Sequence, residues 1–266
     1  MVQFAVMSET PLRILVANDD GVQAPGLLIL KQALERAGHQ VTVCAPDRPR
    51  SASGHAITLH KPLRISQHRL ADDSLAFATS GTPADCVTLG MEEILKNQLD
   101  VVVSGINHGP NLGWDVTYSG TVSAAMEAVI NGFPAIAVSV ASYEETMHYE
   151  PVAEFVAQTL APQVYRNGLP AVTLLNVNAP NVPAQELKGV RVTVQGDRQY
   201  VDRIERRVDP VGRPYYWLGG KIHDKETAEG SDTRAVGEGY ISVTPIHLDL
   251  TAHEFVRHLR EWEIES

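Results

Sequence analysis

The chain reads as an α/β protein: a doubly wound, mostly parallel sheet followed by a C-terminal extension rich in β-hairpins. Three observations lead there. Over the first two-thirds of the 266 residues, apolar runs of strand length alternate with stretches whose apolar positions recur at helical spacing. The runs are apolar throughout, as strands covered on both faces require. Polar clusters follow three of these runs directly, and a parallel sheet gathers such strand ends along one edge.

Taken in order, Ile14–Ala17 is the first buried strand and Gly21 its exit turn. From Pro25 to Gly38, Leu27, Leu28, Leu30, Ala33 and Leu34 fall on a helical stripe that Gly38 ends. Gln40–Ala45 is the second strand. The stretch 56–80 is extended in character, and Thr82-Pro83 opens a second helix with Thr82 as cap and Pro83 in its first position. Asp100–Ser104 is a buried strand entering a Gly/Asn-rich loop, Gly105–Gly120. A helix over Thr121–Ile130 ends at Asn131-Gly132. Ala135–Val140 is a strand, Pro151–Tyr165 a helix and Val172–Val177 a strand. These elements define a Rossmann-like domain over residues 11–180.

From Pro180 the pattern changes. Gly189–Tyr200 and Tyr240–Ile246 alternate as strands do, and the polar stretch Asp209–Gly239 between them carries Tyr215-Tyr216-Trp217. Residues 181–266 are therefore expected to form an appended β-rich segment whose aromatics pack locally or on another subunit, with a short helix over Ala252–Glu263. Residues 1–10 read as a disordered extension. They lack the basic-then-apolar order of a signal peptide.

Composition narrows the function. A net charge of −10 with no basic footprint argues against nucleic-acid binding. No apolar run reaches the ~20 residues that span a bilayer. Cys44 and Cys86 lie in apolar contexts and are expected as buried free thiols.

The chemistry concentrates at three strand ends: Asn18-Asp19-Asp20-Gly21, the run Pro46-Asp47-Arg48-Pro49-Arg50-Ser51, and Ser104-Gly105-Ile106-Asn107-His108-Gly109-Pro110-Asn111. Asp19 and Asp20 are adjacent carboxylates. They repel unless a cation or shared protons relieve them, and a divalent metal site is the economical reading. Hard oxygen donors of this kind suit magnesium, manganese or calcium. Both can face one ion only if the chain already turns there, which Gly21 permits. Ser119-Gly120-Thr121 begins the third helix, where free amides and the dipole favour a phosphate. Capping by Ser119 or Thr121 is the plainer alternative. His55 and His108 are candidate acid–base groups and equally plain loop histidines. Asp47 reads as a loop brace, and Arg48 and Arg50 as braces or anion contacts.

Other motifs fail. The first turn lacks Gly-x-Gly-x-x-Gly, the two glycines of Gly21–Gly26 lack the Lys-Ser/Thr of a P-loop, and there is no Gly-x-Ser-x-Gly elbow. His253 and His258 are five residues apart, too far round a helix for a zincin pair.

In order along the chain, Asn18-Asp19-Asp20-Gly21, Ala24-Pro25-Gly26, Ala45-Pro46-Asp47-Arg48, Arg50-Ser51, Ser104-Gly105-Ile106-Asn107, Gly109-Pro110-Asn111-Leu112-Gly113 and Tyr118-Ser119-Gly120-Thr121-Val122 resemble the SurE family of survival-protein 5′/3′-nucleotidases. The resemblance implies a metal-dependent phosphatase acting on nucleoside monophosphates, with short polyphosphate a further substrate of some relatives. It places metal ligands at Asp19, Asp20, Ser51 and Asn107 for one divalent ion per subunit, Mg²⁺ or Mn²⁺, with Ca²⁺ an alternative in a crystal. Its Gly-Ile-Asn loop and Ser-Gly-Thr helix start are phosphate-binding elements, which places phosphate contacts at Asn107, Ser119, Gly120 and Thr121. Asn111 is read beside them as a further phosphate donor, and Asp19 and Asp20 as the catalytic residues. It also implies a cytoplasmic homodimer or homotetramer, acting without nucleic acid or membrane. After Ser51 the chain reads Ala52-Ser53-Gly54-His55 where many relatives have Gly directly, so loop geometry is expected to differ there. A nucleotide sensor without turnover, and an acyl- or sugar-transfer enzyme on a similar sheet, are the rival readings.

Overall fold

One nine-stranded sheet organises the computed structural model, which describes residues 10–201, 204–224, 228–262 and 264. Residues 1–9, most of the expected N-terminal extension, lie outside the described residues. The strands are β1 (Arg13–Ala17), β2 (Gln40–Pro46), β3 (Ile65–Arg69), β4 (Leu75–Thr79), β5 (Val101–His108), β6 (Ala135–Val140), β7 (Thr173–Ala179), β8 (Val190–Val192), β9 (Arg198–Val201), β10 (Ile204–Val208), β11 (Pro214–Leu218), β12 (Lys221–Asp224) and β13 (Ile241–His247). The helices are α1 (Pro25–Arg36), α2 (Pro83–Leu89), α3 (Gly120–Ile130), α4 (Glu150–Phe155), α5 (Ala161–Asn167), α6 (Asp232–Gly237) and α7 (His253–Arg260).

The sheet order is β3-β4-β2-β1-β5-β6-β7-β13-β8. From β4 through β7 every neighbour is parallel, while β3 is antiparallel to β4 and β13 to β7. The chain leaves β1 for β2 on one side and later enters β5 on the other. That reversal is a topological switch point, and it opens a crevice at the carboxyl ends of β1 and β5.

Strand periodicity explains the two layers. Ile14 and Val16 point into one core with Leu27, Leu30 and Leu34 of α1, and with Val152 and Phe155 of α4. Leu15 and Ala17 point the other way, against Val87 of α2 and Val122 and Ala125 of α3. Ile14, Leu15 and Val16 are at most 1% exposed. Burying each such side chain contributes about 1.5–3 kcal/mol, so β1 is held from both faces.

Three expectations change in detail. The helix read as Pro151–Tyr165 is α4 and α5 joined by a π turn at Val156–Leu160. Pro162 has no N–H for a bond one turn back and its ring crowds that carbonyl, and the wider turn accommodates it. The strand expected to stop at Ser104 continues to His108, so Asn107 belongs to β5 rather than to the following loop. The segment after residue 180 is not wholly an appendage, because β13 and β8 extend the central sheet beyond β7. Without them β7, a buried strand, would present an open ladder edge. Outside the sheet, β9 pairs with β12, and β10 with β11 forms a hairpin whose ten residues are all exposed.

The start of α2 ties the extended segment to the sheet. Thr82 and Asp85 form a reciprocal capping box, Thr82 Oγ1 donates to Ala56 O at 2.7 Å, and Asp85 accepts from Thr58 N at 3.0 Å. Thr82→Ala is expected to cost about 1–2 kcal/mol, read as a lower urea midpoint at unchanged slope. An unchanged midpoint would show that this cap does not hold the segment.

Candidate active site

Asn18 makes the adjacent carboxylates compatible. Its Nδ2 donates to Gly21 O at 2.9 Å and its Oδ1 accepts from Gly21 N at 3.2 Å. In a continuing strand Asp19 and Asp20 would face opposite ways. This side-chain brace bends the chain so that both line one cavity of about 900 Å³. Ser51, Asn107, Asn111 and Ser119 line it too. Six of the eight residues predicted for the site thus meet on one wall.

Asp20, Asn107 and Asn111 are held by partners of identifiable origin. His108 N donates to Asp20 Oδ2 at 3.0 Å. A bulge in β5 between Ser104 and Asn107 brings that amide round. Gly105 sits there at φ +140°, and a Cβ on it would come 2.3 Å from Val138 O, so only glycine lets the backbones approach. Asn107 Nδ2 donates to Gly109 O at 2.8 Å, which leaves its amide oxygen as the group offered to a ligand. Asn111 is fixed from below: its N donates to Asn178 Oδ1 and its Nδ2 to Ser139 Oγ, both at 2.8 Å, while its carbonyl accepts from Asn176 and Asn178.

The remaining two predicted residues lie behind the wall. Thr121 is fully buried and its hydroxyl donates to Asp19 Oδ1. Gly120 passes so close that a Cβ would stand 2.7 Å from Asp19 Cβ. Ser119 Oγ accepts from Val122 N at 3.0 Å, so the plainer alternative holds for this hydroxyl: it caps α3. Capping uses a lone pair of this oxygen, so its O–H, together with the free backbone amides of the helix start, can still meet an anion.

Arg50 Nη2 donates to Ser80 O at 2.9 Å and lies 3.7 Å from Asp47, so it braces the loop that presents Ser51. Arg48 is exposed, 3.8 Å from Asp47. His55 pairs with Glu127 of α3 at 2.9 Å and does not line the cavity, whereas His108 does. That contact is the main reason the Glu127 carboxyl sits below its usual range. His253 pairs with Asp249 on the surface, and Cys44 and Cys86 are buried free thiols. The sequence reading missed Asp115, Tyr118 and Tyr143 and the hairpin's Ile204, Leu218, Gly219 and Gly220, all of which line the cavity. Tyr143 follows the end of β6, a signal present in the chain. The hairpin residues carry none.

The electrostatics favour a cation. Burial pushes the Asp19 carboxyl up to about 6, the Asp20 charge adds to the rise, and the Thr121 hydroxyl opposes it. Burial also raises Asp20, against the His108 amide. Among the described residues no three His, Cys, Asp or Glu side chains converge as a metal cluster. Any ion held here would rest on two carboxylates completed by amide and hydroxyl oxygens. That donor set, with Asn107 already turned to offer oxygen, fits a hard divalent cation.

Sheet and site together define a doubly wound α/β protein with an acidic, oxygen-lined ligand pocket at the carboxyl edge of its strands. Residues 14–202 match the family described as Survival protein SurE. A 5′-nucleotidase SurE of Geobacter sulfurreducens is 51% identical over 255 residues, covering 96% of this chain and 95% of its own. A second, from Carboxydothermus hydrogenoformans, is 47% identical, covering 94% and 96%. The crystal structure of the SurE protein from Aquifex aeolicus superposes with a TM-score of 0.82 at 43% identity, covering 94% of this chain and 99% of that one. The chain belongs to the SurE family.

The raised Asp19 carboxyl has a stability consequence. A folded-state value of about 6 against an ordinary 3.8 means the fold binds this proton more tightly than the unfolded chain does. Stability is therefore lost as pH rises between those values, and at neutral pH the ionised group costs about 3 kcal/mol. In EDTA, Asp19→Asn should gain on the native chain between pH 4 and pH 7 by up to that amount in urea unfolding. A constant difference across the range would rule this out.

Proposed function

We propose that the protein is a metal-dependent 5′-nucleotidase that hydrolyses nucleoside 5′-monophosphates to nucleoside and phosphate. The observation that carries this reading is the pair of adjacent carboxylates, one of them buried, sharing a cavity with Ser51 and Asn107 beside the start of α3. The relatives named as 5′-nucleotidases supply the reaction class.

Asp19, Asp20, Ser51 and Asn107 would hold one Mg²⁺ or Mn²⁺ through oxygen. When bound, a divalent cation there supplies positive charge against phosphoryl oxygens and acidifies water. The chain does the rest. The start of α3, which reaches the cavity at Ser119, receives the phosphate at the positive end of the helix, where its donors need no reorganisation as charge shifts. Thr121 fixes Asp19 rather than contacting substrate through its hydroxyl. Asn111, immobilised by Ser139, offers its remaining N–H. Asp20, oriented by the His108 amide, aligns the attacking water. The site grips phosphorus rather than a particular ester position, so 3′-monophosphates and the terminal phosphate of short polyphosphate are further substrates. We place the protein in the cytoplasm as a homodimer or homotetramer, acting without nucleic acid or membrane. The buried free thiols support the compartment. The exposed hairpin aromatics support the assembly. No described helix is long and apolar enough to cross a membrane.

Phosphate release from AMP, GMP and 3′-AMP should require Mg²⁺ or Mn²⁺ and stop in EDTA. Release that survives full chelation would end the metal reading, and tight nucleotide binding without release would mark a sensor instead. Asp20→Asn should lower kcat/KM at least about 100-fold with the fold retained by circular dichroism, because relieving the carboxylate repulsion removes the site's affinity for a cation. Near-normal turnover would contradict Asp20's role. Replacing Tyr216 and Trp217 together by Ser should reduce the mass seen by light scattering, and an unchanged mass would remove the hairpin from the assembly.

A further inference from the structure

The cavity is larger than a phosphate and a cation require, and its lining is of two chemistries. Oxygen donors come from the ends of β1 and β5. Aromatic and aliphatic surface comes from Tyr143, which follows β6, and from Ile204 and Leu218 of the hairpin. β6 lies two strands from β1 in the sheet, a separation of roughly 10 Å. Tyr143 follows that strand, so it enters the cavity from a different element than the carboxylates do.

Its ring is placed rather than merely exposed. Gly109, at φ +130°, lies flush against it: a Cβ there would stand 2.8 Å from Tyr143 Cε1. The ring is supported on the loop that follows Asn107, and Tyr143 is 70% exposed and lines the cavity. Ile204 and Leu218 are 65% and 83% exposed. Aliphatic and aromatic faces of this kind accept a flat π-system. Among the polar groups at that end, Asp115 is engaged by Arg198 at 3.2 Å.

We infer that Tyr143 is the platform on which the substrate's nucleobase stacks, with Ile204 and Leu218 closing over it as an apolar cover. This rests on the nucleotidase reading and deepens it by naming the specificity-determining residue. Such a slot reads the face of the base and not its hydrogen-bonding edge, so purines and pyrimidines both enter and purines, with more area, bind better.

The test compares kcat/KM for AMP, CMP and the base-free ester β-glycerol phosphate in the native chain, Tyr143→Ala and Tyr143→Phe, with Mg²⁺ or Mn²⁺ present. It also measures adenosine binding by calorimetry, which needs neither metal nor phosphate. Tyr143→Ala should lose about tenfold or more on AMP, chiefly through KM, and less on CMP. It should stay within about twofold on β-glycerol phosphate and lose adenosine binding, while Tyr143→Phe keeps all four values near native. Equal losses on AMP and β-glycerol phosphate, or unchanged selectivity for AMP, would overturn the slot while leaving the phosphomonoesterase intact. Adenosine binding that depends on Tyr143 in a protein releasing no phosphate would keep the slot and remove the nucleotidase.

Discussion

The structure turns on one unfavourable placement: the Asp19 carboxylate, buried at the end of the central strand with a second carboxylate next to it. A folded chain keeps such a group only where neighbours make its position unavoidable. Asn18 closes the turn from one side, Thr121 grips one oxygen from another, and Gly120 passes with no side chain between helix and strand. The Arg50 amide donates to the Asp19 carbonyl at 2.7 Å and brings the Ser51 loop in. The cost of this arrangement would be recovered by opposite charge beside the two carboxylates, which is the physical ground for the proposed cation.

A second constraint lies beneath the first. Buried strands of a parallel sheet are ordinarily apolar, yet β5, β6 and β7 carry Ser104, Ser139, Asn176 and Asn178, none of them exposed. The last three converge on Asn111 and leave its backbone and side chain little freedom. The loop that follows, Gly113–Thr117, is pinned in turn by Asp232, whose carboxylate accepts from Gly113 N and Gly196 N at 2.9 Å. Asp232 belongs to the region after β7. The extension that completes the sheet therefore also sets the shape of the pocket wall, through a fully buried carboxylate reached only by long-range folding.

This division explains what could be read from the chain. Strands β1, β2, β6 and helices α1 and α3 were legible because their apolar spacing is local and strong, and the site's centre was legible because strand ends of a parallel sheet converge by topology. Ser119 and Thr121 could be placed at the head of α3 but not assigned partners: which hydroxyl caps and which grips Asp19 depends on how α3 meets β1. The incorporation of β13 beside β7 was hidden because an alternating strand does not announce which edge it will cover. His55 looked like a site histidine for its position near Ser51, and only packing shows it clasping Glu127 on the far side of that loop.

The hairpin joins these levels. A two-stranded ribbon with ten exposed residues gains little stability alone, and β10–β11 carries Tyr215, Tyr216, Trp217 and Leu218 in an unbroken exposed run. Such a surface is tolerable when something else covers it. The inner residues of the same ribbon, Ile204 and Leu218, border the catalytic cavity. Tyr215 and Trp217 alternate to the opposite face of the ribbon from Leu218, so whatever covers them lies back to back with the cavity lining. One ribbon thus carries both an exposed aromatic surface and part of the cavity lining, while Asn111, elsewhere in that lining, is fixed by buried polar residues of the sheet.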